Sequence, residues 1–158
     1  MAEAEPTETP DTRLEANGFR LRPLTGEEAT SREMKSALSF GQLRRESSRG
    51  IDLVEIQLYK RGDAAFRLNI GTVPFDGVDH PFGHVTAEQA NVHSLSKYFA
   101  AYSSPRFRRW FKVRRWFGPS GSKVDYENLV ADNLGLVREA EDALRDGSRG
   151  PHIRIVQA

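Results

Sequence analysis

The stretch from Ile51 to Val73 constrains the fold of this chain more than any other. Two runs, Ile51-Asp-Leu-Val-Glu-Ile-Gln-Leu-Tyr-Lys60 and Phe66-Arg-Leu-Asn-Ile-Gly-Thr-Val73, alternate apolar and polar residues on either side of Arg61-Gly62-Asp63. Period-two alternation puts Val54, Ile56 and Leu58 on one face of the first strand and Phe66, Leu68 and Ile70 on one face of the second. A three-residue turn with Gly62 left-handed sets Leu58 opposite Phe66, Ile56 opposite Leu68 and Val54 opposite Ile70. The reverse face then pairs Gln57 with Arg67 and Glu55 with Asn69.

Phe40-Gly-Gln-Leu-Arg-Arg-Glu-Ser47 reads as a third strand, joined to this hairpin through Ser48-Arg49-Gly50. A two-residue turn at Arg49-Gly50 places Gln42 opposite Gln57 and Arg44 opposite Glu55. Gln42, Arg44, Glu55, Gln57, Arg67 and Asn69 would then share one polar face. An antiparallel sheet ordinarily leaves one face to solvent, which accounts for charged pairs there. The amides argue for more, because they are uncommon in strands and donate and accept at once. This face is therefore the candidate ligand-binding surface.

Around the meander the expected elements are as follows. Met1 to Thr12 carries Glu3, Glu5, Glu8 and Asp11 with no base and no apolar periodicity, as expected of a disordered acidic tail. Residues 13–158 would form a single domain. Phe19-Arg-Leu-Arg-Pro23 suits a short edge strand, since proline lacks a donor. Thr25-Gly-Glu-Glu28 has capping-box spacing before a stripe of Ala29, Met34, Ala37 and Leu38, which predicts a helix. Pro74 to Gly83 reads as a loop. Asp79, His80 and His84 lie in or beside it, but Pro81 and Gly83 break the helix that would align the two histidines on a metal, so no metal site is assigned. Thr86-Ala-Glu-Gln89 opens a second expected helix, with Val92, Leu95, Phe99 and Tyr102 at helical spacing; His93 is assigned to the surface. Ser122-Lys-Val-Asp125 caps a long expected helix over 122–146, and His152 to Val156 alternates like a closing strand. Together these predict an α+β domain: an antiparallel sheet of four to five strands centered on 40–73, with helices packed on one face.

The chain has no cysteine, which excludes disulfides and thiolate sites and points to the cytoplasm. Its apolar runs are shorter than a membrane span, and no cofactor motif is present. The net charge of +1 leaves 23 bases against 18 acids outside the tail, mildly basic for a nucleic-acid binder. The basic residues concentrate in Pro105-Arg-Phe-Arg-Arg-Trp-Phe-Lys-Val-Arg-Arg-Trp-Phe-Gly118. There Arg108, Arg109, Trp110, Arg114, Arg115 and Trp116 offer phosphate contacts and stacking for a single strand. Such aromatics also seal cores, and the acidic helix that follows offers a partner within the chain.

The strand ending Val54-Glu-Ile-Gln57, then Phe66-Arg-Leu-Asn-Ile-Gly71, Arg114-Arg-Trp-Phe117 and the closing helix together resemble domain of unknown function 4304, a family of small bacterial proteins. The resemblance covers roughly residues 40–145, with Gly18-Phe19 as a further match. Leu24 to Ser39 and Phe117 depart from it. It implies no reaction, cofactor or catalytic residue, and draws Gln57, Asn69 and Gly71 together. The expected function is a noncatalytic binding or interaction module that uses the polar face for a protein or small polar ligand. The alternative is nucleic-acid binding through 105–118. A third reading is an enzyme with Glu55 beside Arg44 or Arg67 in a closed pocket.

Overall fold

The computed structural model describes residues 14–30, 37–59, 64–113 and 122–157. The acidic tail, the turn at 61–63, Met34, and Arg114, Arg115 and Trp116 lie outside them. The elements are β1 (Arg20–Pro23), α1 (Gly26–Thr30), β2 (Ala37–Ser47), β3 (Gly50–Tyr59), β4 (Ala65–Val73), β5 (Val78–His80), β6 (Gly83–Val85), β7 (Lys97–Ala101), β8 (Phe111–Lys112), α2 (Lys123–Asp132), α3 (Gly135–Asp146) and β9 (Ile153–Gln157), with short 3-10 turns at Val92–Ser94 and Pro105–Phe107.

The protein is mostly sheet. Seven strands form one antiparallel sheet in the order β1-β2-β3-β4-β7-β9, with β8 also on β4, and β5 and β6 form a separate two-stranded sheet. This corrects the expected four to five strands and the long C-terminal helix. Residues 97–101, assigned to a helix, form β7 between β4 and β9. The apolar spacing of Val92, Leu95, Phe99 and Tyr102 is compatible with a helix, but the Asn91 side chain accepts from the His93 and Ser94 amides and caps a single 3-10 turn that stops at Ser94. Tyr98 and Phe99 then find their packing as strand residues. Ala37 and Leu38, placed on a helix, begin β2 instead, and the expected loop contains the β5–β6 hairpin.

The C-terminal helix is broken between Asp132 and Gly135. Leu134, Leu136 and Val137 donate to the carbonyls three residues back, and Asn133 Nδ2 donates to Leu129 O at 2.7 Å, closing the turn locally. A Cβ on Gly135 would meet nothing within 4 Å. Gly135→Ala is therefore expected to stabilize the fold by about 0.5–1 kcal/mol through helix propensity, read as a higher urea midpoint at unchanged m-value; a lower midpoint would show that the turn needs glycine.

The β3–β4 register is Leu58↔Phe66, Ile56↔Leu68 and Val54↔Ile70 on one face and Gln57↔Arg67 and Glu55↔Asn69 on the other, as the alternation predicts. The first face carries the main core: Leu43, Val54, Phe66, Leu68 and Ile70 pack with Leu136, Val137, Ala140 and Leu144 of α3. Phe111 stacks on Phe66 with ring centroids 5.1 Å apart. Arg45 crosses the edge of this layer to Glu141, with both contacts at 2.9 Å.

Candidate functional site

The second face changes character along the strands. At one end Leu53 and Val73 meet Ala87, Ala90 and Leu95 in a small apolar cluster. Next comes a polar row in which Gln42 stands opposite Glu55 and Glu55 opposite Asn69. Gln57 and Arg67 form the following row. At the far end lie Tyr59, Ala65 and Lys112.

The β2–β3 register differs from the expected one by two residues. Gln42 pairs with Glu55 and Arg44 with Leu53, because the turn is Ser48-Arg49 and Gly50 already belongs to β3. A shift of two residues keeps each side chain on its face. A bulge between Ser39 and Gln42, where Gly41 has φ 133°, alters the register again below that point.

All six candidate residues therefore reach one face, but four of them, Gln42, Glu55, Gln57 and Asn69, are 0% exposed. The reason is the excursion between β4 and β7, which lies over the row. Glu55 Oε2 accepts from His93 Nε2 at 2.8 Å and from Asn69 Nδ2 at 2.9 Å. The carboxylate thus sets the tautomer of His93, with the proton on Nε2. Val92 N–H donates to Gln42 Oε1 at 3.4 Å. Arg44 donates to the carbonyls of Ala87 and Glu88. His80 Nε2 donates to Ser94 O at 2.6 Å, tying the β5–β6 hairpin to the same turn. A protein partner cannot reach a row so covered. His93, assigned to the surface from sequence, is instead a partly buried member of the network, its side chain 9% exposed; nothing in its local sequence marked it.

The described hydrogen bonds of Glu55 run to His93 and Asn69 and to neither Arg44 nor Arg67. Asp79 and His84 are cross-strand partners in the small sheet, 2.7 Å apart, and the Asp79 hydrogen bond raises the His84 pKa. Among the described residues no group of three or more His, Cys, Asp or Glu is placed to hold a metal, and no helix is long and apolar enough to cross a membrane.

Glu28 locks the edge of the cover. The Thr25 amide donates to Glu28 Oε2 at 2.7 Å and Thr25 Oγ1 accepts from the Glu28 amide, which completes the capping box at α1. Arg22 and Asn91 also donate to this carboxylate. Burial opposes its ionization, but these hydrogen bonds outweigh burial and lower its pKa to about 2. A depressed folded-state pKa stabilizes above the unfolded value near 4.5 and loses that contribution as pH falls toward 2. Glu28→Gln is expected to cost about 2 kcal/mol at neutral pH, with the difference from wild type closing as unfolding is followed down to pH 2. A pH-independent difference would contradict this assignment.

At the far end of the face, Tyr59, Ala65, Ser103, Ser104, Phe107, Arg109, Trp110 and Lys112 line a groove of about 880 Å³. Tyr59 meets Trp110 edge-on with centroids 5.5 Å apart. Arg67 lies 5.0 Å over the Trp110 ring while its Nε donates to Gln57 Oε1 at 2.5 Å and Nη1 donates to Tyr102 Oη at 3.3 Å. Phe107 is 65% exposed, and the Arg109 guanidinium lies 5.2 Å over its ring. Arg108 is exposed and left-handed at φ 49°. Of the acids in the expected helix 122–146, Glu141 pairs with Arg45, Glu139 with His152, and Asp142 and Asp146 with Arg145. Trp110 and Arg109 thus share a concave surface with Tyr59 from β3, which no local motif in the sequence connects to them. Comparison of the chain with family models, with curated proteins and with solved structures gives no match.

Proposed function

We propose that the protein is a noncatalytic binding module whose ligand seat is the groove between Tyr59 and the Ser103–Lys112 segment, and that its ligand is single-stranded nucleic acid. The observation that carries this reading is the grouping of three aromatic rings, Tyr59, Phe107 and Trp110, with Arg109 and Lys112 on one groove. Rings stack on bases of any sequence, while guanidinium and ammonium groups meet phosphates. Arg67 lies over the Trp110 ring and is itself held by Gln57, so part of the stacking platform is oriented before a ligand arrives. The residues of the polar sheet face enter this proposal as the support of that platform through Gln57 and Arg67. The resemblance to domain of unknown function 4304 is part of the same proposal and supplies no reaction. Placement in the cytoplasm rests on the cysteine-free composition.

Fluorescence anisotropy with labeled oligo-dT and oligo-U tests the reading. Binding should weaken steeply with salt, and the Phe107→Ala, Arg109→Ala double variant should lose about 10-fold or more in affinity, since stacking contributes about 1–3 kcal/mol per base. Both side chains are exposed, so folding should be unaffected. No binding by wild type at low salt, or unchanged affinity in the variant, would end this proposal.

A further inference from the structure

Three atoms of the polar row have no hydrogen-bond partner among the described residues: Gln42 Nε2, Glu55 Oε1 and Asn69 Oδ1. Their side chains are 0% exposed. Gln42 is the cross-strand partner of Glu55, and Glu55 that of Asn69, so successive Cβ atoms stand about 5 Å apart on one face. Buried polar atoms in folded proteins are almost always satisfied, by protein or by ordered water.

The orientation of each amide is set from its other end. The Val92 amide donates to Gln42 Oε1, which leaves the Gln42 NH2 group as the unpaired donor. The Asn69 NH2 group donates to Glu55 Oε2, which leaves Asn69 Oδ1 as an unpaired acceptor. Glu55 Oε2 already accepts from both His93 and Asn69, whereas Oε1 accepts from nothing described. The row therefore presents one donor and two acceptors. A metal cation would face the Gln42 NH2 group, and an anion would face a carboxylate oxygen and an amide oxygen. Water has both complements: a lone pair for the donor and two protons for the acceptors.

We propose that Gln42, Glu55 and Asn69 bind one internal water molecule, which accepts from Gln42 Nε2 and donates to Glu55 Oε1 and Asn69 Oδ1. Three polar partners are the usual complement of a buried water. The water joins β2, β3 and β4 through side chains, in the row that also holds the Val92–Ser94 turn. This inference is independent of the groove and its ligand.

A high-resolution crystal structure of the full chain, with a second crystal soaked in a thallium(I) salt, tests it. The expected result is one density peak about 2.6–3.2 Å from all three atoms, without thallium anomalous signal. A thallium peak there would show a cation site, and an absent peak or a direct Gln42–Glu55 hydrogen bond would show no site; each overturns the proposal. In solution the wild-type chain should give water cross-peaks to the Gln42 side-chain NH2 protons that are opposite in sign between laboratory-frame and rotating-frame spectra, as for a long-lived bound water, and their absence would count equally against it. In Gln42→Met crystals the peak should disappear while Glu55 and His93 stay paired; a retained peak would remove Gln42 from the site.

Discussion

Gly50→Ala is expected to destabilize the protein by about 4 kcal/mol. Gly50 opens β3 opposite Ser47 with φ 148°, in a region that side chains rarely adopt. A Cβ there would lie 2.1 Å from Val73 O and 2.9 Å from the carbonyl carbon of Val73. The obstruction is backbone, held in register by the neighboring Ile51↔Val73 pair, so it cannot move aside without loosening the β3–β4 ladder. Strain and steric conflict therefore act together. Urea unfolding measures the loss, with Arg49→Ala as the comparison: Arg49 is exposed in the preceding turn and should change stability by no more than about 0.5 kcal/mol. Equal midpoints for the two variants would mean that Gly50 is an ordinary turn glycine.

Arg45→Ala should cost about 3 kcal/mol. Arg45 makes two 2.9 Å contacts to Glu141 on α3 and a 3.0 Å contact to Asp52, its cross-strand partner. Its guanidinium also lies 4.3 Å over the Phe19 ring. Asp52 is only 2% exposed, and without Arg45 its described side-chain partner is Thr72 Oγ1 at 2.8 Å. Removing one partner of such a pair leaves an uncompensated buried charge, which is why the variant should lose more than a surface ion pair contributes. Partial exposure of Arg45 keeps the effect near the lower end of the range for buried pairs. Arg45→Lys should recover little, because an ammonium cannot meet both Glu141 oxygens in a fixed plane and Asp52 together. A double-mutant cycle with Glu141→Gln should show coupling of about 1 kcal/mol or more. If Arg45→Ala unfolds at the wild-type midpoint, the arginine does not bind α3 to the sheet.

The β3–β4 pairing was legible from sequence because alternation at period two specifies which side chains share a face, and burial of Val54, Ile56, Phe66 and Leu68 penalizes any odd slip. The β2–β3 register was less legible. Arg49-Gly50 resembled a turn, but Gly50 is required where the chain passes Val73 O, a contact between residues distant in sequence. Residues 86–102 were misread for a related reason. Their apolar spacing fits a helix, yet residues 97–101 pair with β4 and β9, which satisfies their backbone, and Asn91 caps only a single 3-10 turn ahead of them. Propensity yields to such tertiary pairing.

The same division holds for the sites. Sequence by itself determined that Gln42, Arg44, Glu55, Gln57, Arg67 and Asn69 face one way, and that aromatic and basic residues alternate after Pro105, because both follow from local periodicity and composition. Only the tertiary structure decided that the first group is roofed by the 74–95 excursion and that Tyr59 meets Phe107 and Trp110 at the end of the same face. Burial and concavity arise from segments far apart in the chain, and no local pattern encodes which of them will cover a face and which will leave it open.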